Sequence, residues 1–276
     1  MGYAKLIKPG DKVDLSDFDA GDRHGLAQED GEKELEKLGK RMSELQELLF
    51  AAHQHSLLII LQGIDTSGKD GTIRSVLGAV NVQSARVSSF KVPTPLERAH
   101  DFLWRVHAQA PGLGEITIFN RSHYEDVLAV RVHKLVPKSV WKERFEQINE
   151  FEALLASSNT LILKFFLHID KAEQETRLLA REEDPEKAWK LNVGDWKERE
   201  LWSDYTKAYE DVLSKCSTKV APWRVVPANH KWFRNLAVTQ AIVQELEPLA
   251  DDWRHDLKQV GKVQKSALAS FRAESK

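Results

Sequence analysis

The stretch GIDTSGKDGT, residues 63–72, carries the spacing G-x-x-x-x-G-K at Gly63, Gly68 and Lys69. A glycine-rich turn running into a helix aims successive backbone N–H groups at one point, and the helix dipole adds positive potential there. Lysine contributes a full charge, so the chemistry on offer is the cradling of phosphate. Gly63, Thr66, Ser67, Gly68, Lys69, Asp70, Gly71 and Thr72 are the candidate phosphate-contacting positions. The hydroxyl that usually follows the lysine and holds a metal is replaced by Asp70, and a second carboxylate, Asp65, stands inside the turn. Two carboxylates beside a phosphate repel it unless a divalent cation lies between, and magnesium favours one or two carboxylates plus phosphate oxygens and water. Asp70 has an equally good reading as a first-turn acidic residue complementing the helix dipole. Asp65, in the turn itself, is the better candidate for metal binding or base work.

A second cluster follows a predicted strand in EITIFNRSHYEDVLAVRVH, residues 115–133. Ligands of open α/β sheets bind past the carboxyl ends of strands. Asn120, Arg121, Ser122, Tyr124, Glu125 and Asp126 fall at such an end, with Arg131 a little further on. Asn120, a neutral amide, holds the place where an aspartate usually orients a metal or its water. The planar fork of Arg121 suits a phosphoryl group in transfer; the competing reading is an i,i+4 surface pair with Glu125. Tyr124 and Arg131 are further candidates for phosphate or nucleotide contact.

A third cluster is RLLAREEDPEKAWK, residues 177–190. Arg177 and Arg181 share a helical face, and Lys187 and Lys190 follow Pro185. A mobile segment bearing arginine can close over a phosphate and exclude water. Interleaved Glu182, Glu183, Asp184 and Glu186 also fit a solvated face, which charge pattern alone favours. His53 and His55, the row Lys258, Lys262 and Lys265, and Trp189, Trp196 and Trp202 read as packing or solvated residues, one tryptophan being able to stack on a base.

The elements that must position these residues alternate. Five short apolar runs, LLIIL, ARVSSFKV, EITIFN, TLILKFFLHI and WRVVPA, read as strands, each separated from the next by helical periodicity. Alternation of this kind predicts a parallel sheet with crossover helices, an α/β class. Helices are expected from about Glu32, over residues 69–80, 95–110, 139–158, 171–184 and 198–216, and from 232 to the end. Residues 1–30 read as an extended arm, 175–205 as a lid and 230–276 as C-terminal helices on a single domain. The 276 residues carry a formal net charge of −2, so a polyanion must be met by a local basic patch. A single cysteine, Cys216, excludes a disulfide framework and fits a reducing, cytoplasmic setting. The N-terminus has no signal-peptide or myristoylation pattern, and no apolar run is long enough to span a bilayer.

Taken together, GIDTSGKDGT, IFNRSHYEDVLAVRVH and RLLAREEDPEKAWK closely resemble the polyphosphate kinase 2 family, and KPGDKVDLSDFD is similar to that family's N-terminal arm. The resemblance implies a three-layer phosphate-loop kinase fold with a helical lid. It implies phosphoryl transfer between inorganic polyphosphate and nucleotides, with Mg2+ or Mn2+. It places Asp65 and Lys69 in the loop, Lys69 on polyphosphate, Arg121 on phosphates, and Arg177 and Arg181 in the lid. Asn120 with SHYEDVL resembles the subgroup that phosphorylates AMP and ADP, giving ADP and ATP; with Asn120 where many members have aspartate, the resemblance leaves Glu125 or Asp126 to join Asp65 as metal candidates. In the lid, KLNVGDW stands where a Ser-Pro pair is usual. Relatives assemble as dimers or tetramers, so a homo-oligomer is expected, with no nucleic-acid or membrane partner. The rival activity is an ATP-dependent nucleoside monophosphate kinase, which the same loop would serve. A nucleotide-binding regulator is a further rival, against which three phosphate-directed clusters argue.

Overall fold

A computed structural model describes residues 2–274, without the side chains of Lys187, Ala188, Lys190 and Glu274. The chain opens with a two-residue strand, β1 (Lys5–Leu6), and then a helix, α1 (Gln28–Ala52). β2 (Ser56–Gln62) runs into α2 (Lys69–Leu77), and β3 (Ala85–Ser89) follows. Two single turns, α3 (Pro95–Arg98) and α4 (Trp104–His107), lead to β4 (Ile116–Asn120). After α5 (Ala129–Val132) come α6 (Lys138–Ser157), β5 (Thr160–His168) and α7 (Lys171–Glu182). α8 (Val193–Glu200) and α9 (Trp202–Lys215) precede β6 (Trp223–Pro227), and α10 (Lys231–Leu246) and α11 (Ala250–Glu274) complete the described chain.

The strand order is β1-β6-β5-β2-β4-β3. Every pairing is parallel except that of β1 with β6. β2 is central, with Leu61 beside Asn120 of β4 and Phe165 of β5. All seven of its residues are buried, which is why LLIIL reads as a continuous apolar run rather than an alternation. Its side chains nonetheless divide by face. Leu57, Ile59 and Leu61 pack with Met42 and Leu45 of α1 and with Phe233 and Ile242 of α10. Leu58 and Ile60 pack with Phe145 and Ile148 of α6 and Val212 of α9.

The five strands read from sequence are the five parallel strands, and the arm adds a sixth. Lys5 pairs with Val225 and Leu6 with Arg224, covering the otherwise open edge of β6. Two residues are too few to show any alternation, so this strand has no signature in the sequence. Further along the arm, the backbone N–H groups of Val13 and Leu15 donate to Ser214 Oγ and Glu210 Oε1 of α9.

Four helix boundaries differ from expectation. α1 starts at Gln28, ahead of Glu32, and its Gly31 is the point where Trp232 closes in; a Cβ there would lie 2.2 Å from the indole. The predicted 95–110 helix is two isolated turns, because the Asp101 carboxylate accepts from the Leu103 N–H and draws the backbone into a local turn. The predicted 198–216 helix breaks at Leu201, between α8 and α9. The C-terminal helix breaks at a turn holding Pro248, which cannot continue a helical hydrogen-bond ladder.

Candidate active site

β2 ends in Gln62, and the turn that follows bends sharply at three positive-φ positions, Gly63 (157°), Thr66 (68°) and Gly68 (100°). Glycine adopts such angles freely; a β-branched threonine does so only under constraint. Arg177 of α7 supplies that constraint. Its guanidinium donates to the Thr66 carbonyl at 2.9 Å and to the carbonyls of Ala228 and Asn229 at 2.6 and 2.8 Å, and its Nε bonds Glu173. Arg177 therefore braces the turn against the end of β6, while the buried Thr66 hydroxyl is left without a partner.

Lys69 opens α2 and folds back over the turn, donating to the Gly63 carbonyl at 2.7 Å. It is 8% exposed. Burial and the neighbouring Arg121 pull its ammonium down to about 8, with Asp65, Glu125 and Asp70 opposing. Asp70, also in the first turn of α2, accepts from the Asn120 amide at 2.9 Å. The neutral Asn120 is thus joined to Asp70 by a hydrogen bond that two carboxylates could not make.

Arg121 follows β4 in the left-handed region, φ 63°. Its nearer partner is Asp65, 2.8 Å away across the loop, with Glu125 at 3.5 Å. The i,i+4 pair foreseen as the bland reading exists, but it is the longer contact. Arg181, at the end of α7, reaches Asp195 of α8 at 3.0 Å, a link across the turn over 185–190. Burial and the nearby Asp65 carboxylate push the Asp195 carboxyl above its usual range, with Arg181 and Arg121 opposing. Asp65, Lys69, Asp70, Asn120, Arg121 and Arg181 line one cleft of about 560 Å³, together with Thr66, Gly68, Gly71 and Arg177.

Three predicted contacts lie elsewhere. Tyr124 is fully buried and gives its hydroxyl to Glu152 at 2.7 Å. Arg131 pairs with Asp211 at 2.6 Å and lies over the Trp141 ring. Asp126 faces Arg144 at 3.1 Å and Arg105 at 3.8 Å rather than the loop, so Glu125 is the member of that pair on the cleft side. Of Ser67 and Thr72, both fully buried, Thr72 caps back onto the Gly68 carbonyl. The side chain of Lys190 lies outside the described residues.

Three cations of the cleft escaped the sequence reading: Arg74 of α2, and Lys231 and Arg234 on the first turn of α10. Lys231 and Arg234 are the pair that a rule of position could find. They sit just past the carboxyl end of β6, where the strand-end rule could have found them. Arg234 is 3% exposed, and its only side-chain partner among the described residues is the Asn235 amide oxygen. Burial and Arg177 pull it down to about 10. A Cβ on Gly68 would lie 1.8 Å from its guanidinium and one on Gly71 2.9 Å, so both glycines make room for it. A buried guanidinium without a carboxylate, pressed against a phosphate loop, is a site for an anion.

The carboxylates fit a magnesium-type ion. No group of three or more His, Cys, Asp or Glu converges among the described residues, so no all-protein cage is present. Asp65 and Asp70 at the mouth of the loop match the one or two carboxylates that magnesium takes beside phosphate oxygens and water.

A phosphate loop after the central strand, an arginine from the adjacent strand end and another at the end of α7 define a phosphate-loop phosphotransferase. The chain belongs to the polyphosphate kinase 2 family, whose model matches residues 25–252. It is 51% identical over 244 residues to an AMP/ADP-polyphosphate phosphotransferase of Meiothermus ruber, covering 88% of this chain and 89% of that one. It is 43% identical over 256 residues to an ADP-polyphosphate phosphotransferase of Rhodopseudomonas palustris, with the same coverage of 88% and 89%. The crystal structure of polyphosphate kinase 2 from Arthrobacter aurescens TC1 superposes with a TM-score of 0.85 at 42% identity, over 88% of each chain.

Proposed function

We propose that the protein transfers phosphoryl groups from inorganic polyphosphate to AMP and to ADP, making ADP and ATP, reversibly and with Mg2+ or Mn2+. The observation that carries this reading is the convergence of Lys69, Arg121, Arg181 and Arg234 on one cleft. A chain of phosphates meeting a chain of cations is how a polyanion is gripped in a protein of net charge −2. The names of the similar phosphotransferases supply the two acceptors.

Phosphoryl transfer demands positioning and neutralisation of charge more than covalent chemistry. The loop N–H groups, Lys69 and Arg234 hold the donor phosphates. Arg121 leaves Asp65 to reach the phosphoryl group in flight, and Arg181 does the same from the flap side, releasing Asp195. Asp65 is then free to orient the acceptor phosphate, and Asp65 and Asp70 are the residues that would hold the metal. The metal supplies charge neutralisation between donor and acceptor oxygens. Flap closure excludes water, so that transfer outruns hydrolysis. Placement in the cytoplasm and assembly as a homo-oligomer belong to the same proposal; they rest on the single cysteine and on the family likeness. No described helix is long and apolar enough to cross a membrane.

Chromatography of nucleotides tests the reading. Protein and magnesium are mixed with AMP or ADP and long-chain polyphosphate as the only donor, then with ATP in its place, and Lys69→Ala serves as blank. ADP and ATP formed from polyphosphate, absent in the blank, are expected. Transfer from ATP to AMP with none from polyphosphate would make the protein a nucleoside monophosphate kinase instead.

A further inference from the structure

Under the cleft lies a polar cluster that phosphate binding does not use. Lys164, in the middle of β5, donates to Glu152 Oε2 at 2.5 Å, to the Tyr124 hydroxyl at 2.8 Å and to the Cys216 carbonyl at 2.6 Å. Glu152 Oε1, from α6, accepts from the Tyr124 hydroxyl and faces His123 Nε2 at 3.2 Å. Lys164, Glu152, His123 and Tyr124 are all at 0% exposure. Burial pushes the Glu152 carboxyl up, but Lys164 and His123 outweigh it and leave it below the usual range.

Ion pairs in so dry a place are poor stabilisers. Desolvation offsets their attraction, and apolar replacements of similar volume are often neutral or stabilising. The position of this pair supplies another reason for it. His123 and Tyr124, with Ser122, form the wholly buried stretch between Arg121, which lines the cleft, and its ion-pair partner Glu125. Ser122 is itself pinned, its Oγ accepting from the Tyr124 N–H and donating to the side-chain amide oxygen of Gln62 at the end of β2. Arg121 holds a left-handed conformation, which costs a non-glycine residue about 1–2 kcal/mol and persists only where its surroundings enforce it.

We propose that the buried Glu152–Lys164 pair is a positioning unit for phosphoryl transfer, holding the 121–125 turn through Tyr124 and His123 so that the Arg121 guanidinium is aimed over the loop. This rests on the proposed kinase reading for its purpose but has a readout that does not need turnover. Misplacing a transition-state contact by about 1 Å can cost on the order of 100-fold in rate.

The experiment is a mutant cycle. Glu152→Met with Lys164→Met removes both charges together, Arg121→Ala removes the guanidinium, and a triple variant combines them. Melting temperature, kcat with polyphosphate, and tripolyphosphate affinity by calorimetry are measured for each. The double variant is expected to melt within a few degrees of the parent and to lose roughly 10- to 100-fold in kcat. In the Arg121→Ala background the same double change is expected to alter kcat and tripolyphosphate affinity less than threefold, because its target is gone. Losses that add fully onto Arg121→Ala, or a folded double variant with parental kcat and affinity, overturn the proposal. Should the double variant not fold, Tyr124→Phe, which deletes one hydroxyl, takes its place in the cycle under the same criteria. Absence of transfer from polyphosphate by the parent protein sinks the kinase reading alone, since the calorimetric cycle still decides whether the pair works through Arg121.

Discussion

Lys69 must carry its proton to hold phosphate, yet its surroundings work against that proton. With the ammonium pulled from 10.5 to about 8, kcat/KM is expected to be level with respect to Lys69 below pH 8 and to fall as pH rises through it. A pH profile of the free enzyme's kcat/KM checks this, and a lysine limb near 10.5 would refute it. The sign for stability is the reverse. At pH 7 the lysine is charged in both folded and unfolded chains, and holding it charged in the fold costs roughly 3 kcal/mol at 1.36 kcal/mol per unit. That cost fades between pH 8 and 10.5. Lys69→Met should therefore abolish turnover while raising the unfolding free energy by roughly 1–3 kcal/mol in urea titration at pH 7. Asp65→Asn is the complementary case: it should abolish turnover and leave the far-ultraviolet circular dichroism unchanged, and near-parental activity would remove Asp65 from its role. Gly68→Ala should cost at least tenfold in kcat/KM, since its Cβ would meet the Arg234 guanidinium at a φ of 100°.

At the scale of elements, the loop is rigid because α7 and the end of β6 hold it. Arg177 donates to three backbone carbonyls from two other segments, so its loss leaves buried acceptors unpaired. Arg177→Met is expected to destabilise the fold by about 2–4 kcal/mol, read as a lower urea midpoint, and to raise the KM for polyphosphate through a slackened loop. A variant of parental stability with only kcat reduced would instead make Arg177 a direct phosphate contact. The flap differs in kind. α8 has no buried residue, and its ties to α7 include the Arg181–Asp195 pair, the Trp196 indole N–H donating to Glu182, and the contacts of Arg199 with Gln174, Glu175 and the Lys171 carbonyl. Elements held by a few polar contacts open at low free-energy cost, as a flap that must admit substrate requires.

At the scale of the molecule, the arm closes the sheet. β1 covers the β6 edge, and Val13, Leu15 and Ala20 bury their side chains behind it. Deleting residues 2–20 should lower the melting temperature by several degrees and promote aggregation through the freed edge, seen by calorimetry and light scattering. Unchanged melting of the truncated chain would show the arm to be dispensable. The cleft stands where the chain changes direction, with β4 on one side of β2 and β5 on the other, and each strand end contributes a piece of it.

The residue types and spacings by themselves determined the alternating strands, the phosphate loop and Arg121 beside it, because buried parallel strands and glycine turns write short local signals; the charge pattern around Arg181 favoured a solvated face, and only the family resemblance set it toward the loop. The same local reading could not see which cation meets which carboxylate. Arg121 meets Asp65 over 56 positions and Asn120 meets Asp70 over 50, distances that only the strand order closes. Tyr124, Arg131 and Asp126 looked like site residues because they follow a strand end, but the fold directs Tyr124 into the core, Arg131 to Asp211 and Asp126 to Arg144 and Arg105. Arg234 looked like an ordinary helical residue until α10 laid it against Gly68. Whether a charged side chain faces phosphate, a carbonyl or another side chain is set by contacts between segments far apart in the chain, and those exist only once the chain has folded.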